Sequence, residues 1–291
     1  MRIHSLKSSV GATLIAGLLL ALTSSVQAQA PATSGAQGKT ELLWLGQAGF
    51  RIKSPNGKMI LIDPWITGGP KTPPMYKTDL AAIGPIDLLL VTHAHVDHIG
   101  DAPAIAKMNN TKLYGPADMV TPLTTLGILP PDLGHRFNKT GSVTPLPGIK
   151  VTAVQAEHSS LLVWKNPATD KMESHPAGEP MGYIIQLENG FKIWHMGDTG
   201  LFSDMKFISE HYKPDLVLIP IGGNFTMAPE DAAYALRTWV KPKMVIPMHY
   251  GSNPMTKGTV AEFQEAMKGS SIKIIPMTEV KQFSFNSLQL Q

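Results

Sequence analysis

The sequence predicts an α/β fold built as one large domain, and three observations support that prediction. Short apolar runs typical of buried strands alternate with segments typical of helices through most of the chain. The first three predicted strands follow one another with only turns between them, so the sheet begins as an antiparallel meander. A segment rich in histidine, residues 92–98, directly follows one apolar run. The fold is therefore not a simple doubly wound sheet, and its candidate site lies where a strand ends.

The first 28 residues are predicted to be an export signal. Arg2, His4 and Lys7 form a basic start, residues 10–22 form an apolar core, and a small-residue pattern ends at Ala28. The apolar core is too short to span a bilayer comfortably. We therefore expect cleavage after residue 28, a periplasmic or secreted protein, and no stable membrane insertion after cleavage.

Composition limits the chemistry of the mature chain. Residues 29–39 form a flexible leader rich in Ala, Gly, Pro and Gln, and residues 40–291 form the predicted catalytic domain. The chain contains no cysteine, so any metal must be held by His, Asp or Glu. The formal net charge is +3, and two of the basic residues leave with the signal. No basic run indicates nucleic-acid binding, so we expect a small-molecule substrate; a homo-oligomer remains open.

The elements follow in order along the chain. The predicted strands are residues 41–45, 50–53, 59–62, 88–91, 112–114, 151–154, 181–187, 191–195, 215–219 and 244–246. The predicted helices are residues 102–108, 117–126, 229–240 and 259–267. Residues 68–78, 132–144 and 159–180 are predicted to be irregular, and the first and last of these loops are expected to shape the pocket. No linker separates the two halves, which indicates one domain.

Residues 92–98 read Thr-His-Ala-His-Val-Asp-His and hold four potential metal ligands. His93 and His95 point the same way in an extended segment, because side chains alternate with a period of two. Asp97 and His98 come where the chain turns, so they can face a second point a few ångströms away. Without a metal, this cluster would need a separate partner for each imidazole and for the carboxylate. The spacing predicts two adjacent cations.

Three further candidates, His158, Asp198 and His249, each follow a predicted strand in a turn flanked by Gly or Ser. Taken singly, each is more readily explained as a surface or capping residue. Their shared context, in a chain that already carries the ligand-rich segment, indicates that they act together with it.

These residues, in this order, resemble the metallo-β-lactamase superfamily over nearly all of residues 41–285. Within it, the chain is most similar to the metal-dependent hydrolases grouped with ascorbate-6-phosphate lactonase. The segments that carry this branch resemblance are Leu-Gly-Gln-Ala-Gly-Phe at 45–50, Gly-Asp-Thr-Gly at 197–200, Pro-Ile-Gly-Gly-Asn-Phe-Thr-Met at 220–227 and Ile-Pro-Met-His-Tyr-Gly at 246–251. The resemblance implies a four-layer αββα sandwich with two metals at one edge, between the sheets.

The resemblance also implies a ligand set. The first metal would be held by His93, His95 and His158; the second would be held by Asp97, His98 and His249, with Asp198 bridging. Nitrogen and oxygen ligands suit two divalent ions, with Zn²⁺ expected first and Mn²⁺ or Fe allowed. The chain departs from the pattern at Gln47 and Asn224, where we expect relatives to carry histidine. Neither position is a metal ligand in the family pattern.

The predicted function is an exported dinuclear hydrolase that uses hydroxide generated at the metals on a lactone, ester or amide, with Asp97 as the catalytic residue. The alternatives are a phosphodiesterase on the same site, a mononuclear iron oxygenase, and a non-catalytic metal-binding module. Ser159, Ser160 and His195 are expected to support the ligands rather than to react. Tyr250 is either a hydrogen-bond donor to substrate or a packing residue.

Overall fold

The computed structural model describes residues 38–277 and the backbone of two C-terminal strands, residues 282–286 and 289–290. The predicted signal peptide and nearly all of the leader lie outside the described residues. The described residues belong to one compact unit. Within them, no helix combines the length and apolar character that a bilayer crossing requires.

Two sheets hold fifteen of the strands, and a separate hairpin holds two. The strands are β1 Thr40–Gly46, β2 Gly49–Lys53, β3 Met59–Ile62, β4 Leu88–Leu90, β5 Leu113–Pro116, β6 Gly134–Phe137, β7 Ser142–Leu146, β8 Ile149–Gln155, β9 Leu161–Asn166, β10 Lys171–Pro176, β11 Met181–Gln186, β12 Lys192–His195, β13 Leu216–Pro220, β14 Met244–Met248, β15 Lys273–Ile274, β16 Gln282–Asn286 and β17 Gln289–Leu290. The first sheet has the order β17-β16-β1-β2-β3-β4-β5-β6, and the second has the order β15-β14-β13-β12-β11-β8-β7.

The helices are short. They are α1 Pro74–Thr78, α2 Val96–Ile99, α3 Ala102–Asn109, α4 Ala117–Thr125, α5 Met205–Tyr212, α6 Pro229–Ala235 and α7 Val260–Ala266. Short 3₁₀ turns follow α1 and precede β6, and a π-type turn, Leu236–Val240, continues α6. A capping box starts α7, because Thr259 and Glu262 satisfy each other's backbone N–H groups.

The alternation of side chains along β1 separates the layers. Leu42 and Trp44 lie in the core between the sheets, whereas Leu43 and Leu45 lie in a second core on the outer face of the first sheet. Residues of α3 and α4 belong to that second core, and residues of α5, α6 and α7 belong to the first. The layers are therefore helix, sheet, sheet and helix, which is the four-layer αββα sandwich of the metallo-β-lactamase fold.

The meander and the strand–helix alternation are confirmed. β1, β2 and β3 pair antiparallel, and β3 to β6 then pair in parallel. The prediction that three segments are irregular is wrong in part. Residues 68–78 contain α1, residues 132–144 contain β6 and the start of β7, and residues 159–180 contain the β9–β10 hairpin. Many of their side chains are exposed, because β6 and β7 lie at sheet edges and the β9–β10 hairpin pairs with neither large sheet.

Candidate metal centre

The ligand-rich segment sits at the end of β4 and is turned by a one-turn helix. Residues 88–91 are fully buried between neighbours, so the chain emerges at the sheet edge at Thr92. His95 takes the N-cap position of α2, and the backbone N–H of His98 donates to the carbonyl oxygen of His95. The turn separates Asp97 and His98 from the first two histidines, as the sequence predicted.

Three histidines converge in the first cluster. His93 Nε2 lies 3.0 Å from His95 Nδ1, and His158 Nε2 lies 3.2 Å from the same nitrogen. His158 is carried by the loop after β8, so this cluster joins the edges of both sheets.

A second cluster holds Asp97, His98, Asp198 and His249. His249 Nε2 lies 3.0 Å from Asp198 Oδ2 and 3.2 Å from Asp97 Oδ2. His98 Nε2 lies 3.2 Å from Asp198 Oδ1. Asp198 follows β12 and His249 follows β14, so both reach the cluster from the ends of strands in the second sheet.

Asp198 lies between the two clusters. Its Oδ2 is 3.6 Å from His158 Nε2 in the first cluster and 3.0 Å from His249 Nε2 in the second. The side chain is almost completely buried, and the structure brings all seven predicted ligands together. A carboxylate in this position is placed to bridge two cations.

The donor atoms suit divalent ions. Two ligand atoms about 2.05 Å from one tetrahedral zinc are about 3.3 Å apart, which is close to the observed spacings of 3.0–3.6 Å. His98 Nε2 and Asp198 Oδ1 are buried and have no hydrogen-bond partner, although they are near each other. Buried polar atoms left in this way are costly unless something binds them. Both clusters can therefore hold a divalent cation.

Asp63, directly after β3, fixes the tautomer of one histidine in each cluster. Its carboxylate accepts hydrogen bonds from Thr92 N (2.8 Å) and Thr92 Oγ1 (2.7 Å) and lies 2.7 Å from His98 Nδ1. His98 therefore keeps its proton on Nδ1, which leaves Nε2 free as a ligand. Thr92 Oγ1 donates to Asp63 and can therefore accept from His93 Nδ1 at 3.1 Å. This hydrogen bond keeps the proton of His93 on Nδ1 and leaves its Nε2 free as a ligand.

Gln47 also lies at the second cluster, whereas Asn224 does not. Gln47 Nε2 donates to Asp97 Oδ2 at 2.7 Å and lies 2.7 Å from His249 Nε2. Asn224 is exposed beside a different cavity. Gln47 therefore contacts two of the predicted ligand side chains, although the family pattern assigns it no metal. Its signal in the sequence was the departure from histidine within an otherwise matching segment.

The two clusters have opposite acid–base character. Burial lowers the pKa values of His93, His95 and His158, which keeps these imidazoles neutral. Burial acts in the same direction on His249, but Asp198 outweighs it and raises the pKa of His249 to about 9. Burial would raise the pKa of Asp97, yet His98 and the hydrogen bond with His249 hold it below its usual value.

The remaining residues weighed from the sequence have structural roles. His195 is buried, and its Nε2 donates to the carbonyl oxygen of Ala48 at 2.8 Å. Ser160 Oγ accepts from the N–H of Ala94 and so fixes the ligand-rich segment. Tyr250 stacks on Trp44 and its hydroxyl donates to the carbonyl oxygen of Met277, so it is a packing residue.

Both clusters open into a cavity of about 680 Å³ whose rim is apolar. Five of the exposed large apolar side chains among the described residues line it; we call them the apolar wall: Val96, Leu161, Val163, Met172 and Phe225. Along β9, Leu161 and Val163 face the cavity, whereas Leu162 is buried in the core. None of the described residues that line this cavity is Lys or Arg.

Comparison with known proteins gives consistent results. The sequence model of the beta-lactamase superfamily domain matches residues 58–250. A metal-dependent hydrolase of Polynucleobacter asymbioticus is 85% identical over 279 residues, which are 96% of this chain and 98% of that protein. A metal-dependent hydrolase of Polaromonas sp. is 61% identical over 242 residues, which are 83% of this chain and 88% of that protein. A solved metallo hydrolase from the archaeon Ignicoccus hospitalis is 31% identical with a TM-score of 0.71, over 85% of this chain and 99% of that one.

Proposed function

The chain belongs to the metallo-β-lactamase superfamily and is a metal-dependent hydrolase, and from that premise we propose that it hydrolyses a neutral lactone, ester or amide at a dinuclear site. One observation carries the proposal: seven ligand atoms form two clusters around Asp198, at the base of a cavity with an apolar wall. Two bound divalent ions would supply hydroxide at neutral pH by lowering the pKa of water from about 15.7 to about 7.

The side chains around the clusters divide the work of the reaction. His93, His95 and His158 would hold one ion, while Asp97, His98 and His249 would hold the other, and Asp198 would set the distance between the ions. Asp97 is partly exposed to the cavity and ionised, so Oδ1, the oxygen that does not face His249, can orient the attacking water and accept its proton. A proton held there can pass to the departing oxygen or nitrogen of the substrate.

The cavity favours a neutral, apolar group beside the scissile bond. A phosphodiester is already anionic as a substrate, whereas a lactone, ester or amide is neutral, and anion sites are typically built with Arg or Lys. Among the described lining residues there is no such cation, and the charges come only from the ligand side chains. An acyl chain placed along Leu161, Val163 and Met172 would bury apolar surface on both partners, which stabilises the complex by about 25 cal/mol per Å².

We further propose export of the chain, with zinc as the metal of the first cluster. The basic start and apolar core of residues 1–28 support export, and three imidazoles support zinc. Cell fractionation with N-terminal sequencing of the mature protein tests this localisation. A mature chain that still begins at residue 1 in the cytoplasm would contradict it.

The activity test combines elemental analysis with a substrate panel. We expect about two divalent ions per chain and turnover of acyl-bearing lactones and aryl esters above that of bis-aryl phosphodiesters. The Asp97→Asn variant keeps the shape of the side chain but loses its charge, and it should reduce kcat by about 10²–10⁴-fold. Preferred phosphodiester turnover would replace the proposal with the phosphodiesterase. One bound iron with oxygen consumption, or no hydrolysis of any substrate, would refute hydrolysis at a dinuclear site.

A further inference from the structure

Gln47 is held rigidly with its side chain aimed at the second cluster. It lies between β1 and β2 with φ +49°, a left-handed conformation that is uncommon for a residue with a side chain. Its carbonyl oxygen accepts from Trp44 Nε1 and from the backbone N–H of His249, both at 3.0 Å. His249 itself has φ +54°. Such paired strain is typical of functional sites, and here it fixes where the buried Gln47 amide points.

The amide is closer to the ligand atom of His249 than either carboxylate is. Gln47 Nε2 lies 2.7 Å from His249 Nε2, compared with 3.0 Å for Asp198 Oδ2 and 3.2 Å for Asp97 Oδ2. Once His249 Nε2 gives its lone pair to a cation, it can neither donate nor accept a hydrogen bond. An NH₂ group of Gln47 in this place would then face the cation and repel it.

A half-turn of the amide removes this conflict, and the hydrogen bond from Gln47 Nε2 to Asp97 Oδ2 is then replaced by a cation that both side chains bind. The half-turn brings Oε1 into the cluster and directs the NH₂ group at Ser252 Oγ, which now donates to Oε1. A serine hydroxyl can accept as well as donate, so Ser252 can partner either orientation. The two orientations occupy the same volume because the amide oxygen and nitrogen are nearly the same size.

We propose that Gln47 Oε1 is an additional ligand of the second cluster. The inference rests on the proposed dinuclear site. With Gln47, the second cluster offers two nitrogens and three oxygens, whereas the first offers three imidazole nitrogens and the shared Asp198. Oxygen-rich sites with more than four ligands suit Mn²⁺, and tetrahedral imidazole-rich sites suit Zn²⁺.

The test measures metal binding directly. The full-length mature protein is loaded with one equivalent of Zn²⁺ and titrated with Mn²⁺, with free Mn²⁺ followed by electron paramagnetic resonance. We expect Gln47→Ala to weaken the second ion about 10- to 100-fold and to leave the first unchanged. Gln47→Glu, which keeps an oxygen in place, should bind Mn²⁺ at least as tightly as the wild type. Gln186→Ala, at the far end of β11, is the matched control.

A second readout separates a ligand from a residue that only supports the ligands. With Co²⁺ in the second cluster, loss of an oxygen ligand lowers the coordination number and strengthens the visible absorption. We expect this change in Gln47→Ala, no change in Gln186→Ala, and a smaller change in Ser252→Ala. If Gln47→Ala has the wild-type Mn²⁺ affinity and Co²⁺ spectrum while hydrolysis persists, the ligand assignment is refuted and the proposed function stands. A wild-type protein that binds one ion and hydrolyses nothing refutes the proposed function itself.

Discussion

The Asp63→Asn substitution should weaken metal binding at both clusters, although Asp63 contacts neither metal-facing atom. In the wild type, the carboxylate faces two donors on the same oxygen, Thr92 Oγ1 and His98 Nδ1, each at 2.7 Å. The backbone N–H of Thr92 is a fixed donor to the other oxygen, so the amide oxygen stays opposite it and the NH₂ group faces Thr92 Oγ1 and His98. His98 must then accept on Nδ1 and carry its proton on Nε2. Thr92 must then accept from Asn and donate to His93 Nδ1, which moves the proton of His93 to its Nε2 as well.

The magnitude follows from the number of bonds that change. Loss of the partner that orients a metal-binding histidine costs about 10- to 100-fold in affinity, or about 1.4–2.7 kcal/mol for each cluster. In the metal-free protein, hydrogen bonds to a carboxylate become bonds to an amide, so we expect about 1–3 kcal/mol of lost stability. Because the side chain keeps its shape, the fold should persist.

Metal affinity is measured by competition with a chelator of known strength, and stability is measured by denaturant unfolding of the apoprotein. Asp101→Asn is the matched control, because Asp101 also accepts three hydrogen bonds, from Ile66 N, Thr67 N and Thr67 Oγ1, but touches no ligand. Equal metal affinities in Asp63→Asn and the wild type would refute the tautomer argument. Loss of affinity in both variants would attribute the effect to general destabilisation.

Three further predictions concern other parts of the site. The pKa of His249 is about 9 in the metal-free protein, so the second ion must displace the His249 proton below that pH. The affinity for the second ion should therefore fall about tenfold for each pH unit below 9. Titration calorimetry in buffers of different ionisation heat measures the released proton, and binding without proton release would contradict the raised pKa. Met172→Ala should raise the KM for acyl substrates about 5- to 30-fold and leave kcat nearly unchanged. Met75→Ala is the control, because Met75 is similarly exposed but lies on α1, and its KM should match that of the wild type. A wild-type KM in Met172→Ala would exclude Met172 from substrate binding. Tyr250→Phe should lower the free energy of unfolding by about 1–3 kcal/mol, because the carbonyl oxygen of Met277 loses its donor. Hydrolysis should be unchanged, and a fall in kcat would show that Tyr250 takes part in the reaction.

The ligand positions could be predicted from the sequence because each follows a buried apolar strand at a sheet edge. Within residues 92–98 the local structure decides which ligands face the same cation, because side chains alternate along a strand and α2 then turns the chain. His158, Asp198 and His249 each come after such a strand, and the family resemblance supplied the pairing between them. The roles of these residues stay predictions until metal binding is measured.

The supporting residues could not be predicted, because their roles depend on contacts between distant segments. Asp63 lies 35 positions from His98, and Gln47 lies 202 positions from His249. Local periodicity carries no information about such pairs. The β9–β10 hairpin was missed for another reason: only one face of it is buried, and the exposed face mixes apolar and charged side chains.

The isolation of the β9–β10 hairpin has a consequence for the history of the chain. The hairpin pairs only with itself among the described strands, yet it supplies Leu161, Val163 and Met172 to the cavity. The ligands come from the strand ends of the two large sheets instead. Substitutions in the hairpin can therefore change which substrates bind without moving the metal ligands. Relatives can in this way differ in substrate preference while they share one reaction. Transplanting residues 161–176 between relatives would carry preference from one protein to another.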